Sequence, residues 1–285
     1  MSTNQITTHD RAVVLGGGGI TAIGWEIGIL TGLLENGVEL HKANTVFGTS
    51  AGAFVGVALS SGYDMEQLFS TQLEQNDSEI PATANKEIMN AWYEAFKIGG
   101  SDRQKVGAAF GNIAKANPEP VPTSQRQMVV QNRLVTTTWP QTLKVTAIEA
   151  ETGQLNVFDH TSGMSLVDAV SASGAVPGIW PLVERNGRKW IDGGMVSSTN
   201  VLLSVGYKTV LVLAPMPQGY GLIPGVVEDI ETMKQQADVF LIVPDAESKA
   251  AIGTNPYDPT HKSAAAIAGR AQGNQVAAAV KAKWI

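Results

Sequence analysis

The stretch Phe47-Gly48-Thr49-Ser50-Ala51-Gly52 sets a serine between two glycines, where the run Asn44-Thr45-Val46-Phe47 meets the apolar segment Ala51–Leu59. Such a chain has to turn sharply from strand to helix, and glycines at both flanks remove the Cβ atoms that would clash there. Two readings follow. Ser50 is a nucleophile displayed on an elbow made by Gly48 and Gly52, or the string is an ordinary helix start. In the first reading, the free N–H groups and positive dipole end of the new helix favour negative charge beside Ser50.

A second glycine cluster lies upstream. Arg11-Ala12-Val13-Val14-Leu15 reads as a buried strand running into Gly16-Gly17-Gly18-Gly19 and then an apolar helix from about Thr21 to Asn36. Four consecutive glycines leave backbone N–H groups uncovered and able to point at an anion, either a bound phosphate or a transient oxyanion. Gly17-x-Gly19-x-x-Ala22 satisfies the permissive dinucleotide fingerprint. The next strand, however, ends in Gly48-Thr49-Ser50 and supplies no acid to hold a ribose. No lysine follows the glycines as a phosphate loop requires, so nucleotide binding is the weaker alternative.

A serine nucleophile needs a base. The histidines are His9, His41, His160 and His261, and none sits in a strand-end motif; each reads as a surface residue. Lys189-Trp190-Ile191-Asp192-Gly193-Gly194 instead puts a carboxylate at the end of an apolar stretch, with glycines that permit close approach. Standing alone, that string is an Asp-Gly turn. Asp245 is a second acid after an apolar strand, but Ala246-Glu247-Ser248 lacks the glycines.

A four-glycine loop after the first strand, G-x-S-x-G at Ser50, a Ser-x-x-x-Pro element at Ser173 to Pro177, and Asp192-Gly193-Gly194 occur in that order. This series resembles the patatin-like phospholipase family over Arg11 to about Pro215. The resemblance implies a three-layer α/β/α fold with a mostly parallel sheet, and a Ser-Asp dyad in which Ser50 attacks and Asp192 is the base. It implies the N–H groups of Gly17, Gly18 and Gly19 as the oxyanion hole, an acyl-ester lipid as substrate, and no metal or organic cofactor. It also makes Ser173 to Pro177 architectural, with Pro177 ending a helix that starts near the capping sequence Ser165-x-x-Asp168. The chain departs from the pattern at Thr21-Ala22, where many members carry a basic residue and then Gly. The substrate is therefore expected to be an acyl ester, and not necessarily a phospholipid. A silent lipid- or partner-binding scaffold of the same fold is the alternative.

The 285 residues read as one α/β domain. Its strands are expected at Ala12 to Leu15, Asn44 to Phe47, Leu143 to Glu149, Leu155 to Phe158, Thr209 to Leu213 and Val239 to Val243, all near-continuously apolar. A helical insertion runs from about Asp64 to Arg133, and a turn-rich linker, Gly253 to Pro259, precedes a terminal helix from about His261 to Lys281. Ile88, Met89, Trp92 and Phe96 place an apolar stripe on one insertion helix, facing the core or acting as a lid or lipid-contacting surface. Between Asp64 and Lys97, seven acids against two lysines give −5, which disfavours anionic membranes but leaves other peripheral contact open. The net charge of −6 argues against nucleic acid. With no cysteine, a polar start from Met1 to Asp10 and no 18-residue apolar run, the expectation is a cytoplasmic protein.

Overall fold

The computed structural model describes residues 11–74, 79–234 and 236–284. His9 with the rest of the polar start, and Asp77 of the acidic run, lie outside the described residues. The first half of the chain forms β1 (Arg11–Leu15), α1 (Gly19–Glu35), β2 (Thr45–Gly48), α2 (Ala51–Ser61), α3 (Met65–Leu73), α4 (Lys86–Gly99), α5 (Arg103–Ala116) and α6 (Thr123–Arg133). The second half forms β3 (Leu143–Glu149), β4 (Leu155–Phe158), α7 (Leu166–Ser173), β5 (Val183–Arg185), β6 (Arg188–Asp192), β7 (Thr209–Leu213), α8 (Val226–Glu231), β8 (Asp238–Ile242), α9 (Ala246–Ile252) and α10 (Lys262–Lys283).

One eight-stranded sheet is linked by the pairings β5 to β6, β6 to β3, β3 to β2, β2 to β1, β1 to β7 and β7 to β8, with β4 also paired to β3. The pairings β3-β2, β2-β1, β1-β7 and β7-β8 are parallel, while β4, β5 and β6 pair antiparallel. Successive side chains of a strand point to opposite faces, and β1 shows both faces covered. Val13 and Leu15 join a cluster with α1, α2 and α10, while Ala12 and Val14 join another with Val226 and Ile230 of α8. Helices on two faces of a mostly parallel sheet make the three-layer α/β arrangement. The expected strands all form, shifted by at most a residue at β1, β2 and β8.

Strands β5 and β6 were not among the expected set, and they decide how the site is assembled. Val145 pairs with both Gly48 of β2 and Phe158 of β4, and Ala147 pairs with both Asn156 of β4 and Asp192 of β6. A residue has two edges, so β4 holds one edge of β3 and β2 and β6 share the other. Strand β2 runs with β3 and β6 runs against it, so their C-terminal ends face each other across Thr146.

Helix α7 corrects a second expectation. Ser165 caps it, its Oγ accepting the Asp168 N–H at 3.1 Å and donating to Asp168 Oδ2 at 2.7 Å. It ends at Gly174, whose N–H donates to Val170 O at 3.1 Å, before Pro177 is reached.

Helix α1 is buried almost all round and lies against α10. Gly24, Gly28 and Gly32 recur every four residues and form a flat strip on α1. A Cβ at Gly28 would lie 2.1 Å from the Ala266 carbonyl oxygen, and one at Gly32 would lie 2.6 Å from that of Arg270. From the other side, a Cβ at Gly273 of α10 would lie 2.5 Å from Ile29 O. The obstacles are backbone atoms, which cannot turn aside as a side-chain tip can. Gly28→Ala is therefore expected to force the helices apart and destabilise by about 1–3 kcal/mol in urea denaturation; an unchanged midpoint would show that the contact yields freely.

Candidate active site

Ser50 follows β2 with φ 53° and ψ −114°, a left-handed backbone state for a residue with a side chain. Such a state costs on the order of 1–3 kcal/mol and persists only where the surroundings enforce it. The enforcement is specific. The Ser50 N–H donates to Ser173 Oγ at 2.8 Å, and the Gly52 N–H donates to Gly16 O at 2.9 Å. A Cβ at Gly52 would lie 2.2 Å from Leu15 O, and one at Gly48 would lie 2.6 Å from the Ala53 Cα, so β1 and α2 can close on the turn only around glycine.

Asp192 ends β6 and is buried. Its N–H donates to Ala175 O at 3.1 Å, and its Oδ1 accepts the Gly194 N–H at 2.6 Å. Burial pushes its carboxyl from the ordinary 3.8 up to about 7, opposed by hydrogen bonds from the Ser50 hydroxyl and the Gly194 amide and by the charge of Arg126. Gly193 lets the turn close, since a Cβ there would lie 2.5 Å from Thr146 Oγ1. That hydroxyl sits 2.9 Å from Thr49 Oγ1, and Asn200 Nδ2 donates to Thr49 Oγ1 and to Gly193 O, each at 3.1 Å. Thr146 and Asn200 thus tie the two facing strand ends together. Ser173, the last residue of α7, and Ala175 just past it do so again, one holding the Ser50 amide and the other the Asp192 amide.

The glycine loop requires one correction. The Gly17 N–H donates to Ser198 O at 2.7 Å, so Gly17 does not offer its amide to a third group as expected. Gly17 gives clearance instead, because a Cβ there would lie 3.1 Å from Ser50 Cβ. No acceptor among the described residues takes the N–H of Gly18 or Gly19, which open α1. Under the loop, the Gly16 N–H donates to Glu26 Oε1 at 2.8 Å; burial pushes the Glu26 carboxyl well up, toward its neutral form.

Ser50, Asp192 and Gly17 to Gly19 line one cavity of about 150 Å³, whose remaining wall includes Trp92, Phe96, Met195, Met216 and Tyr220. Trp92 donates from Nε1 to Pro177 O at 2.9 Å, and Phe96 stacks on Tyr220 at 5.4 Å. Burial and the Asp192 charge push the Tyr220 phenol up to about 12, so it stays neutral. The α4 stripe therefore faces inward at Ile88, Trp92 and Phe96, but Met89 is 51% exposed and leaves it. The Gly253–Pro259 stretch is more than a linker: a Cβ at Gly19 would lie 2.2 Å from Pro256 O, and Pro256 and Tyr257 line the cavity.

Other candidates lie apart from this cavity. His41 and His160 are exposed, and His261 Nδ1 pairs with Ala251 O at 2.8 Å. Asp245 caps α9, its side chain accepting the Ser248 N–H at 2.7 Å. Among the described residues, no group of three acids and histidines could hold a metal ion, and no helix is long and apolar enough to cross a membrane. Ser173 carried a signal in the Ser-x-x-x-Pro element; Thr146, Asn200, Ser198 and Tyr257 carried none, because each is a common residue made relevant by a remote neighbour. Ser173→Ala is expected to orphan the buried Ser50 N–H and cost about 1–3 kcal/mol in urea denaturation. The same substitution should slow fluorophosphonate labelling of the protein; unchanged stability and labelling together would remove Ser173 from the support of the turn.

No protein of curated function matches the chain in sequence. Among solved structures, VipD from Legionella pneumophila is similar at 14% identity and a TM-score of 0.47, the match covering 95% of this chain and 67% of VipD. ExoU from Pseudomonas aeruginosa, solved in complex with SpcU, is similar at 17% identity and a TM-score of 0.43, the match covering 95% of this chain and 53% of ExoU. The chain thus spans about half the length of ExoU. Residues 13–204 match the patatin-like phospholipase family, a span that takes in the glycine loop, Ser50 and Asp192. The chain belongs to the patatin-like phospholipase family.

Proposed function

We propose that the protein is a serine acyl-ester hydrolase acting on lipid-like esters, with Ser50 as nucleophile and Asp192 as its base. The observation that carries this reading is a strained, buried serine in one cavity with a buried carboxyl, which burial pushes up toward the range a general base needs. Ser50 Oγ attacks the ester carbonyl carbon while its proton passes to Asp192. The carbonyl oxygen becomes an oxyanion that the Gly18 and Gly19 amides receive, at the positive end of α1. In comparable sites one such donor is worth roughly 3–4 kcal/mol. Collapse expels the alcohol, which takes the proton from Asp192. Water then attacks the acyl-serine with Asp192 accepting its proton, and the released serine oxygen is reprotonated. The acyl chain lies against Trp92, Phe96, Met195 and Met216. Peripheral contact with lipid through the exposed Met89, Tyr93 and Ile98 of α4 belongs to the same proposal.

Ser50→Ala is expected to abolish turnover of a p-nitrophenyl acyl ester by at least about 1,000-fold. A fluorophosphonate should label Ser50 in the native chain; a native chain that neither turns over esters nor labels would be the silent scaffold instead. The base must be ionised, so kcat/KM should be half-maximal near pH 7 and fall tenfold per unit below it.

Asp192 also sets a stability trend. Its folded value lies above the unfolded 3.8, so its preference for the protonated carboxyl supports the fold below about pH 4 and is lost as pH rises through about 7. Asp192→Asn keeps an oxygen for the Gly194 amide and removes that penalty. It is expected to be inactive yet more stable at pH 8, by up to roughly 4 kcal/mol in denaturant melts; a loss of stability at pH 8 would contradict the assignment.

A further inference from the structure

Ser50 also borders a second opening, which shares Gly19, Val176 and Tyr257 with the apolar cavity and is lined in addition by Arg126, Arg133, Glu79 and Trp180. Arg126, from α6, is only 7% exposed, and its guanidinium lies 4.3 Å from the centre of the Trp180 ring. Its Nη1 has no hydrogen-bond partner. The nearby carboxylate is already engaged, because Arg133 Nε donates to Glu79 Oε1 at 3.0 Å and Arg133 Nη2 donates to Glu79 Oε2. Glu79 is thus bonded to Arg133, and Arg126 feels the charges of Glu79 and Asp192 without a hydrogen bond to either. Burial lowers the Arg126 pKa to about 9, which leaves it a cation at neutral pH.

A buried guanidinium with an open N–H is expensive unless something anionic completes it. Packing on Trp180 alone would be served as well by an apolar side chain. The space beside Arg126, about 20 Å³, admits one oxygen atom or one water. Past Phe54, Glu79 and Arg133 it adjoins a cleft of about 500 Å³, which has room for the body of a polar group. The glycine loop contributes no cation of its own, since Thr21-Ala22 follows it. Ser50 thus stands between an apolar cavity and a cationic slot.

We propose that Arg126 reads a negative charge on the substrate: an oxyacid oxygen of an anionic acyl ester sits at its Nη1 while the ester carbonyl meets Ser50 and the acyl chain fills the Trp92–Phe96 cavity. This rests on the acyl-hydrolase reading and adds to it a residue that selects the substrate. A phosphate and a carboxylate present the same oxygen chemistry to a guanidinium, and the test separates them.

The test compares kcat/KM for dodecanoylglycerol phosphate and for neutral dodecanoylglycerol. The native protein should prefer the anionic ester, and Arg126→Gln should lower the anionic-to-neutral ratio by about 30-fold, with Arg126→Lys recovering part of it. The ratio cancels any effect of the lost charge on Asp192. A binding arm needs no turnover: calorimetry of decyl phosphate, decanoate and inorganic phosphate with S50A and with S50A/R126Q. Decyl phosphate or decanoate should bind S50A at least tenfold more tightly than the double variant, and the tighter of the two identifies the group. Tight binding of inorganic phosphate alone would make the site a free-anion site and overturn the substrate role. Equal affinity in both variants, or an unchanged ratio, would reduce Arg126 to packing and a bound water. If Arg126→Gln fails to fold, protection of native Ser50 from fluorophosphonate by decyl phosphate but not decanol carries the test; equal protection overturns it. Failure of the native protein to turn over either ester, with Arg126-dependent binding intact, would sink the hydrolase reading and leave the anion site standing.

Discussion

The ends of β2 and β6 meet head-on along one edge of β3, with Thr146 between Val145, which faces Gly48, and Ala147, which faces Asp192. The candidate site depends on this meeting. Hydrogen-bond register is discrete, so two strands that share an edge and run toward each other stop at a fixed separation. The residues just past Gly48 and at the end of β6 are then held opposite each other by ladders that the whole sheet supports. The Thr49, Thr146 and Asn200 hydroxyl-amide network fills the junction, and Ser173 at the end of α7 and Ala175 just past it tie the two ends again.

This arrangement gathers features that oppose stability into one place. Ser50 holds a strained backbone, Asp192 is buried away from water, Glu26 lies buried under the glycine loop with one oxygen unpartnered, and Arg126 keeps an open N–H. Each is locally unfavourable, and each borders the same turn or its supports. The offset comes from elsewhere, from the apolar strands covered on both faces and from α1 pressed against α10 through glycine. Strain concentrated at one point and supported by a large rigid core is the general pattern of sites whose geometry matters more than local comfort.

Much of the sheet was legible because β1, β2 and β7 are near-continuous apolar runs, as strands buried on both faces must be, and because β3 and β8 keep enough β-branched and apolar residues to read as strands. Strand β6 was less so: it opens on the charged pair Arg188-Lys189, of which Arg188 is exposed, so only Trp190-Ile191 carried a strand signal. The end of α7 was assigned to Pro177, but Gly174 stopped the helix first. In the site, glycine spacing pointed to Ser50 and Asp192 because a close backbone approach leaves glycine as its trace. It did not distinguish a loop amide left without an acceptor from one that serves the scaffold. Gly17 belongs to the second kind, since Ser198 is brought to it by a remote turn.

By itself, the sequence determined the local chemistry: a strand that breaks into a helix around Ser50, a loop of bare backbone at Gly16 to Gly19, a carboxylate flanked by glycine at Asp192, and membership of a family recognised by the order of these motifs. These are short-range properties, written in residue type and spacing. Only the tertiary structure decided which partners meet. It put β6 on the edge that β2 vacates, assigned the Gly17 amide to Ser198, turned Ser173 toward the Ser50 amide, folded Pro256 over the glycine loop and left the buried Arg126 Nη1 without a hydrogen-bond partner in the wall of an opening that Ser50 also lines. Those pairings join residues far apart in the chain, and no local pattern encodes them, because they are fixed by how the layers pack.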